Sequence, residues 1–372
     1  MTSHAPVISV GFVGCGRATT ALHLPALRTV PGVTVAALAD VDPAAFVRAS
    51  ALVPGARTFA DYRALLELPG LDAVAVCVPA AQHAELGRAV LAAGRHLFVE
   101  KPLALTLEDC DRLIERSAES QRTVMVGFNA RHHRLIREAR ALLRDGGLGP
   151  LELIRSVLTS SHESVPEWRK ARATGGGVLL ELAVHHYDLW RFLTGEEVAE
   201  VSAFASGGRW EDESATVIAR LSSGAIASGA FSQRTSQNNS VEVCGRAGSL
   251  TVSLYRFDGL ERAPLTAVPG DVGSRIAAGR RLLTRLPRGI AGLRRGGEWA
   301  ESYRAEWLAF AAALRGGGPA PAHPGAPPSR GGPPAGATLG DGRAALAIAL
   351  AAAESAATGR SVRVAGSVQD VE

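Results

Sequence analysis

Three consecutive residues, Glu100-Lys101-Pro102, place a carboxylate, an ammonium group and a proline directly after the apolar run His96–Val99. An ammonium group at the carboxyl end of a buried strand can bind an oxygen atom of a substrate, and desolvation lowers its pKa enough for proton transfer. A solvated Glu–Lys pair before a turn is the commoner explanation of an isolated tripeptide of this kind. The surrounding residues favour the chemical interpretation.

A glycine-rich turn, Gly14-Cys15-Gly16-Arg17-Ala18-Thr19, follows the apolar stretch Val7–Val13. In such a turn the first glycine allows the tight bend, and the second lets the backbone approach a pyrophosphate at a helix N-terminus. The third position serves helix–strand packing and holds a small threonine in place of glycine. The pattern predicts a dinucleotide site that includes Gly14, Cys15, Gly16, Arg17 and Ala18.

An acidic residue, Asp40, follows the next apolar stretch, Val33–Ala39. A carboxylate at this position binds the hydroxyl groups of an adenosine ribose and repels a 2′-phosphate. Val41 comes next, and no arginine or serine is placed to hold that phosphate. NAD is therefore the predicted cofactor, and NADP is less favoured. Asp40 could instead cap the following helix, but Asp42 is the better candidate for that role.

Alternating strands and helices over residues 1–128 predict an α/β domain with a doubly wound parallel sheet, the Rossmann arrangement. The predicted strands are Val7–Val13, Val33–Ala39, Leu71–Val78, His96–Val99 and Thr123–Gly127. The predicted helices are His23–Val30 with Pro25 in its first turn, Pro43–Leu52, Ala84–Ala93 followed by Gly94, and Leu107–Glu119 capped by Thr106.

Residues 129–372 have a different pattern and predict a second, α+β domain with a large open, mostly antiparallel sheet. The predicted strands are Leu151–Thr159, Val198–Ala205, Ala215–Leu221, Ala225–Ser232, Ser240–Cys244 and Ser249–Ser253. A helix over Arg131–Arg144 precedes them, and a helix over Val178–Leu193 is expected to pack on the sheet.

Two segments near the end of the second domain are unusual in composition. The arginine-rich segment Arg275–Arg295 predicts a solvated helix or loop, or else a surface for a phosphorylated substrate or a membrane. Residues 316–336 are rich in glycine, proline and alanine, which predicts a disordered or extended insertion. Helices are predicted on both sides of it, over Trp307–Leu314 and Arg343–Ala357.

The overall composition excludes several classes of protein. The chain has 372 residues and a net charge of +4, without the clusters of basic and aromatic residues typical of nucleic-acid binding. Its four cysteines are scattered without CxxC spacing, which argues against a zinc site and favours a reducing, cytoplasmic location. No apolar run approaches the ~18 residues that a membrane-spanning helix needs, and the N-terminus has no positive region typical of a secretion signal.

Several motifs, in order and at the right spacing, resemble the Gfo/Idh/MocA oxidoreductase family, which includes glucose–fructose oxidoreductase and inositol dehydrogenase. They cover most of the first 195 residues and are matched more loosely beyond. The matching stretches are Gly11–Leu27, Val74–Val99 with its Val-Pro and His83, Glu100-Lys101-Pro102-Leu103, Val126-Gly127-Phe128-Asn129 with Arg131, Gly175–Leu193, and finally Asp341-Gly342-Arg343.

The resemblance implies a Rossmann domain followed by an α/β domain whose large open sheet commonly forms the oligomer interface. We therefore expect a homodimer or homotetramer formed through the C-terminal sheet. The resemblance also implies bound NAD(P) and hydride exchange with a hydroxyl-bearing carbon of a sugar, cyclitol or related polyol. A cis peptide bond between Lys101 and Pro102 is expected as well.

In many members of the family, the segment after a glycine triplet carries Asp-x-x-x-His-x-x-Asp. The corresponding residues here are Glu181, His185 and Asp188, with glutamate replacing the first aspartate. Positions i, i+4 and i+7 share one face of a helix, so the three polar groups are expected to line a cleft. His185 is the expected general base or acid because imidazole titrates near neutral pH. Lys101 would bind the reacting oxygen, and Glu181 would orient the substrate or the imidazole.

The remaining expected site residues also follow from the resemblance. The cofactor set includes Val78, Pro79, His83, Glu100, Lys101 and Asn129 besides the glycine turn and Asp40. The substrate set comprises Arg131, Trp168, Arg169, His186 and Asp188, and no metal is expected. Three alternative functions stay open: a reductase of nucleotide-linked ketosugars, an NAD-assisted glycosidase-like enzyme, and a non-catalytic NAD-binding sensor.

Overall fold

The computed structural model describes residues 7–268, 270–293, 296–316 and 336–366. These residues form two compact units. The first unit comprises Met1–His132 and Tyr303–Leu346, and the second comprises His133–Ser302 and Ala347–Glu372. The insertion predicted at 316–336 lies outside the described residues except for its two end positions.

The first unit is built on a six-stranded parallel sheet in the order β3-β2-β1-β4-β5-β6. Its strands are β1 (Ile8–Val13), β2 (Val33–Ala39), β3 (Arg57–Phe59), β4 (Ala73–Val76), β5 (His96–Val99) and β6 (Val124–Val126). Its connecting helices are α1 (Leu24–Leu27), α2 (Pro43–Ser50), α3 (Tyr62–Leu66), α4 (His83–Ala92) and α5 (Leu107–Ser120). The strand order reverses between β1 and β4, where sheets of this kind bind ligands. The predicted Rossmann fold is confirmed.

Local sequence accounts for the helix starts in this unit. The side chain of Asp42 accepts a hydrogen bond from the Ala44 amide (2.9 Å), and that of Thr106 accepts one from the Asp109 amide (3.1 Å), so both residues cap helices as predicted. Strand β3 and helix α3 were not predicted. The strand has three residues with little burial, which is too short to show a periodic pattern.

The second unit contains an eight-stranded sheet in the order β13-β12-β11-β7-β10-β9-β8-β14. Its strands are β7 (Leu151–Ser161), β8 (Val198–Ser206), β9 (Ser214–Leu221), β10 (Ile226–Ser232), β11 (Arg234–Gly245), β12 (Gly248–Ser253), β13 (Leu260–Pro264) and β14 (Val362–Arg363). Seven strand pairs join these eight strands, and only the central pair, β7 with β10, is parallel. The predicted mostly antiparallel sheet is thereby confirmed.

The helices of the second unit are α6 (Arg134–Arg144), α7 (Val184–Thr194) and α8 (Val272–Leu293). The continuous helix predicted over Val178–Leu193 is divided in the structure, since Val178–Leu182 forms a wider, π-helical turn before α7. Helix α8 covers the arginine-rich segment as far as residue 293 and is a helix rather than a loop. It leaves apolar side chains exposed, including Ile276 and Leu283.

Two further helices follow: α9 (Gly297–Arg315) and α10 (Leu339–Thr358). From Tyr303 to Leu346 the chain belongs to the first unit, whereas the predicted boundary placed all of it in the second domain. Packing explains the difference, because Trp307 and Phe310 are buried and their rings lie 4.7 Å and 5.8 Å from that of Phe98 in β5. None of the helices in the described residues is both long enough and apolar enough to span a membrane.

Candidate functional site

The glycine-rich turn brings the ends of β1 and β4 into close approach. Gly14 has φ of +95°, and a Cβ atom on it would lie 2.4 Å from the carbonyl oxygen of Cys77, so only glycine fits. A Cβ atom on Gly16 would meet nothing within 4 Å, which leaves that backbone open to a ligand. Thr19 donates a hydrogen bond from Oγ1 to the carbonyl of Gly14 (2.6 Å). The threonine at the third motif position therefore also closes the turn.

The Asp40 carboxylate holds the turn against the end of β2. Its Oδ2 accepts a hydrogen bond from the Cys15 amide (2.6 Å), and its Oδ1 accepts one from the Asp42 amide (2.9 Å). Burial raises the pKa of the Cys15 thiol to about 12, and the charge of Asp40 adds to the effect. The thiol is therefore neutral, and Cys15 contributes its backbone amide to this arrangement.

A cavity of about 670 Å³ opens beside the turn. Five of the predicted cofactor residues line it: Gly14, Gly16, Asp40, Val78 and Pro79. Residues 60–63, which lead from β3 into the start of α3, also line the cavity and were missed because β3 and α3 were missed. Open backbone at Gly16 and a carboxylate at Asp40 in one cavity fit the phosphate and ribose groups of a dinucleotide.

Other predicted cofactor residues support these turns from the interior. His83 is 1% exposed, with Nδ1 2.7 Å from the carbonyl oxygen of Pro102 and Nε2 2.8 Å from that of Val78. Burial lowers the pKa of His83 despite these two carbonyls. Asn129 is also 1% exposed, whereas Arg17 lies on the surface beside the glycine turn. His83 thus joins the Val78 and Pro102 segments, and its contact with the cofactor stays a prediction.

The Glu100-Lys101-Pro102 segment forms a turn directly after β5, and the predicted cis bond between Lys101 and Pro102 is confirmed. Glu100 Oε1 lies 2.9 Å from His23 Nε2, and Oε2 accepts a hydrogen bond from the Lys101 amide (3.1 Å). The carboxylate also packs against the main chain after β6, where a Cβ atom on Gly127 would lie 2.9 Å from Oε1. The Glu100 side chain is thus fixed by three different chain segments.

Arg131 does not have the environment expected of a substrate residue. It is 7% exposed, and its guanidinium group makes a bidentate ion pair with Asp341 of the same unit. The two nitrogen–oxygen distances are 3.0 Å and 3.1 Å. Arg131 therefore joins the turn after β6 to the start of α10, and its contact with a substrate stays a prediction.

In the second unit, the structure brings three expected site residues together. Glu181 lies in the π-helical turn, and its Oε2 is 2.5 Å from a terminal nitrogen of Arg169. The same oxygen is 3.5 Å from Gln233 Nε2. The Arg169 guanidinium lies over the Trp168 ring, 5.8 Å from its centroid. The Glu181 carboxylate is thus oriented by a cation and an amide; sequence reasoning did not identify Gln233.

The polar residues of α7 are buried to different degrees. His185 is 9% exposed, whereas His186 and Asp188 have no exposed surface. His186 Nε2 lies 3.1 Å from Asn239 Oδ1, and the ring packs edge-on against Phe231. Burial lowers the pKa of His186 to about 4. His186 therefore packs in the interior against Phe231, and its contact with the substrate stays a prediction.

Four buried polar atoms near these residues have no hydrogen-bond partner within the described ranges: Ser160 Oγ, Tyr187 Oη, Trp210 Nε1 and Gln233 Oε1. Buried polar groups are normally paired, so a cluster of unpaired ones calls for an explanation. Tyr187 and Asp212 lie close enough that the Asp212 charge, together with the larger effect of burial, raises the pKa of the phenol. Each group can donate to or accept from a small polar ligand.

No group of three or more histidine, cysteine, aspartate or glutamate side chains among the described residues is arranged to hold a metal ion.

Comparison with known proteins identifies the family. Residues 8–128 match the NAD-binding Rossmann fold of the Gfo/Idh/MocA oxidoreductase family, and residues 136–251 match the C-terminal domain of the same family. The chain belongs to the Gfo/Idh/MocA family of oxidoreductases.

Individual relatives agree with this assignment. The chain is 31% identical over 277 residues to the myo-inositol 2-dehydrogenase of Thermotoga maritima, which covers 72% of this chain and 80% of that enzyme. It is 31% identical over 309 residues to the 1,5-anhydro-D-fructose reductase of Ensifer adhaerens, covering 80% of each. Its fold matches the scyllo-inositol dehydrogenase of Lactobacillus casei, solved with bound NAD(H) and scyllo-inositol, with a TM-score of 0.74 at 21% identity over 97% of this chain and 100% of that chain.

The prediction of an NAD-dependent oxidoreductase acting on CH–OH groups is confirmed by the family. The cavity of the first unit is where we predict NAD to bind.

Substitution of Asp40 tests how the cofactor is chosen. We expect Asp40→Ala to weaken NAD binding, because the acceptor for the ribose hydroxyls and the partner of the Cys15 amide are both lost. We also expect it to narrow the difference in affinity between NAD and NADP. The measurement is calorimetric titration with each cofactor. Asp42→Ala is the matched control. It removes a helix cap, which costs about 1 kcal/mol of stability, but it removes no contact to the glycine turn. Tighter binding of NADP than NAD by the unmodified protein would contradict the assignment.

Proposed function

We propose that the protein oxidises a hydroxyl group of a cyclitol or a related sugar with NAD, or catalyses the reverse reduction. The observation that carries the proposal is the polar cluster of the second unit. Glu181, Arg169 and Gln233 form a charged and amide network, and several neighbouring buried polar atoms have no partner among the described residues. A ligand with many hydroxyl groups suits the partly exposed Arg169 and Glu181 side chains of this network, because each hydroxyl both donates and accepts. The names of the two enzymes that are 31% identical to this chain support this substrate class.

Proton handling is assigned to two residues. Lys101 follows β5 directly, and its amide is fixed by the Glu100 carboxylate, so the start of its side chain has a defined position. We propose that its ammonium group binds the reacting oxygen. His185 is the general base, since an imidazole at a nearly buried site can take the hydroxyl proton at neutral pH. Bound NAD supplies the hydride acceptor.

Specificity is assigned to the network around Glu181. The carboxylate accepts from Arg169 and Gln233, so its orientation is fixed before a substrate arrives. Fixed acceptors discriminate between hydroxyl arrangements, because a wrongly placed hydroxyl leaves a buried group unpaired. Trp168 and Asp188 complete the proposed substrate set. Trp168 offers an apolar ring face, and Asp188 lies one helical turn beyond His185.

We also propose that copies of the chain assemble through the eight-stranded sheet and act in the cytoplasm. Strand β9 alternates between buried and exposed residues, and Ile218 on its outer face is 51% exposed. Phe204 on the neighbouring strand β8 is 79% exposed. Apolar side chains on an open sheet face favour association. A reducing compartment is supported by the four cysteines, all of which are free thiols.

The proposed activity is tested by a screen of cyclitols, aldoses, anhydro sugars and nucleotide sugars for NADH formation, with Lys101→Ala as the diagnostic variant. We expect turnover with a free cyclitol or sugar. We expect Lys101→Ala to lose nearly all turnover, because the ammonium group acts on the substrate. Its affinity for NAD should stay within a few-fold of that of the unmodified protein. A near-normal kcat in the variant would make Lys101 structural. Binding of NAD without turnover of any compound would favour a sensor.

Adjacent histidines provide a matched pair for the general base. His185→Gln should lower kcat by roughly 10²–10⁴ and remove the acidic limb of its pH profile, since the group that accepts the proton is absent. His186→Gln should lower stability, because its imidazole fills the interior against Phe231. The fraction of His186→Gln that stays folded should show the same dependence of kcat on pH as the unmodified protein. The measurements are kcat against pH and thermal melting. The assignment fails if the two variants exchange these phenotypes.

Assembly is tested by light scattering during size-exclusion chromatography. We expect the unmodified protein to elute as a dimer or tetramer and Ile218→Lys to shift it toward the monomer, because a charge on the outer sheet face must be desolvated when the face is covered. Arg220→Lys, on the same face of β9, keeps the charge and is the control. A monomeric unmodified protein would refute the proposed interface.

A further inference from the structure

Helix α8 exposes the kind of side chain that a surface helix normally buries. A helix on the surface of a globular protein packs its apolar face on the core and leaves its charged face in water. In α8, six large aliphatic side chains are exposed instead: Val272, Ile276, Leu282, Leu283, Leu286 and Ile290. Most of them are three, four or seven positions apart, so they share one face of the helix. A contiguous exposed patch of this kind, unlike scattered apolar residues, marks a surface that another molecule covers.

The opposite face of α8 is held by the second unit itself. Arg281 forms an ion pair with Glu261 of β13, with a nitrogen–oxygen distance of 3.1 Å. Arg285 forms one with Glu138 of α6, at 2.7 Å. These two ion pairs lie one turn apart on the helix and fix its rotation about its own axis. The apolar face is therefore turned outward because the protein binds the charged face.

The charges that flank the apolar face within α8 are positive. Arg275 and Arg280 are exposed, and at 3.6 residues per turn they fall on opposite edges of that face. Residues 272–293 contain five arginines and no aspartate or glutamate. The acid that precedes them, Asp271, caps the helix by accepting a hydrogen bond from the Ser274 amide (2.6 Å). The exposed side of α8 is thus apolar at its centre and cationic at both edges.

We propose that α8 docks the protein on a membrane surface rich in anionic lipids. An apolar helix face with cations at its edges lies in the plane of the interface, with the apolar side chains at the boundary between headgroups and acyl chains. Guanidinium groups at the edges, those of Arg275 and Arg280, then meet lipid phosphates, which they bind well. The helix lies along the surface, since none of the helices in the described ranges is long and apolar enough to cross a membrane.

Charge favours a lipid surface over a second copy of this chain. In a two-fold dimer the same patch forms both sides of the interface. Two α8 helices packed through their apolar faces would bring the edges that carry Arg275 and Arg280 together, and neither helix has an acidic residue to pair with them. An anionic bilayer supplies both an apolar layer and negative charge, so it matches the centre and the edges of the face at once.

Sedimentation of the full chain with vesicles tests the inference and needs neither NAD nor a substrate. One set of vesicles is phosphatidylcholine alone, and the other is equal parts of phosphatidylcholine and phosphatidylglycerol. We expect the anionic vesicles to bind the protein roughly 20-fold more tightly, from about fivefold for each of the two arginines at the edges. The preference should weaken as salt is added, because salt screens exposed charges. Failure to bind the anionic vesicles would overturn the inference.

A single apolar residue separates insertion of α8 from simple attraction of a positive protein to negative lipid. Leu283 is 70% exposed, so Leu283→Asn should leave the melting temperature unchanged. It should weaken binding to the anionic vesicles by roughly 10-fold or more, because an apolar side chain no longer leaves water. Val47→Asn is the matched control, since Val47 on α2 of the first unit is 73% exposed. Equal binding by the two variants would contradict a role for α8.

The arginines are tested in pairs that change the net charge equally. The double variant Arg275→Gln with Arg280→Gln should lose most of the preference for anionic vesicles. The double variant Arg28→Gln with Arg57→Gln removes two exposed arginines of the first unit and should keep that preference. If both double variants lose it to the same extent, the attraction depends on net charge alone and the inference fails.

Two further measurements identify what covers the face. The fluorescence of Leu283→Trp should be quenched by brominated lipids in anionic vesicles beyond the quenching seen in the unmodified protein, because the new indole enters the bilayer. Light scattering without vesicles should give the same oligomeric state for Leu283→Asn as for the unmodified protein. A shift of Leu283→Asn toward the monomer would place a second copy on α8 and overturn the inference. Loss of polyol turnover in any of these experiments bears on the proposed function alone.

Discussion

The contact on which the first unit depends is the approach of Gly14 to the carbonyl of Cys77. Two parallel strands, β1 and β4, end at this point, and a side chain larger than hydrogen at position 14 would separate them. At this turn Asp40 accepts a hydrogen bond from the Cys15 amide. The same residue thus contributes to the shape of the turn and presents a carboxylate to the cavity. The Asp40 side chain therefore links the choice of cofactor to the conformation of the glycine turn.

In the second unit, polar side chains are held in order next to an apolar sheet. The π-helical turn over Val178–Leu182 places Glu181 where Arg169 and Gln233 can reach it. Regular α-helix resumes at Val184, and His186 and Asp188 on it are fully buried. Irregular helical turns are frequent at functional sites because they re-aim a side chain without breaking the element. The glutamate that replaces the usual family aspartate lies in this turn.

Much of the first unit could be predicted from sequence, because its determinants are local. Glycine spacing, the Asp42 and Thr106 caps and the apolar strands each depend on a few consecutive residues. Contacts between residues distant in sequence could not be predicted. The ion pair of Arg131 with Asp341 and the parallel pairing of β10 with β7 both join segments that are far apart in the chain. The role of Gln233 could not be predicted, since a single amide carries no pattern.

The burial of Trp307 against Phe98 bears on how the chain reaches its native state during synthesis. Proteins emerge from the ribosome with the N-terminal residues first, and domains usually fold as they appear. Here the first 132 residues contain the whole parallel sheet, yet one apolar side of it is covered by residues from Tyr303 onward. Until those residues have been made, Phe98 and its neighbours lack the aromatic side chains that bury them. The nucleotide-binding unit is thus the first to start folding and is completed only after nearly all of the second unit has been translated.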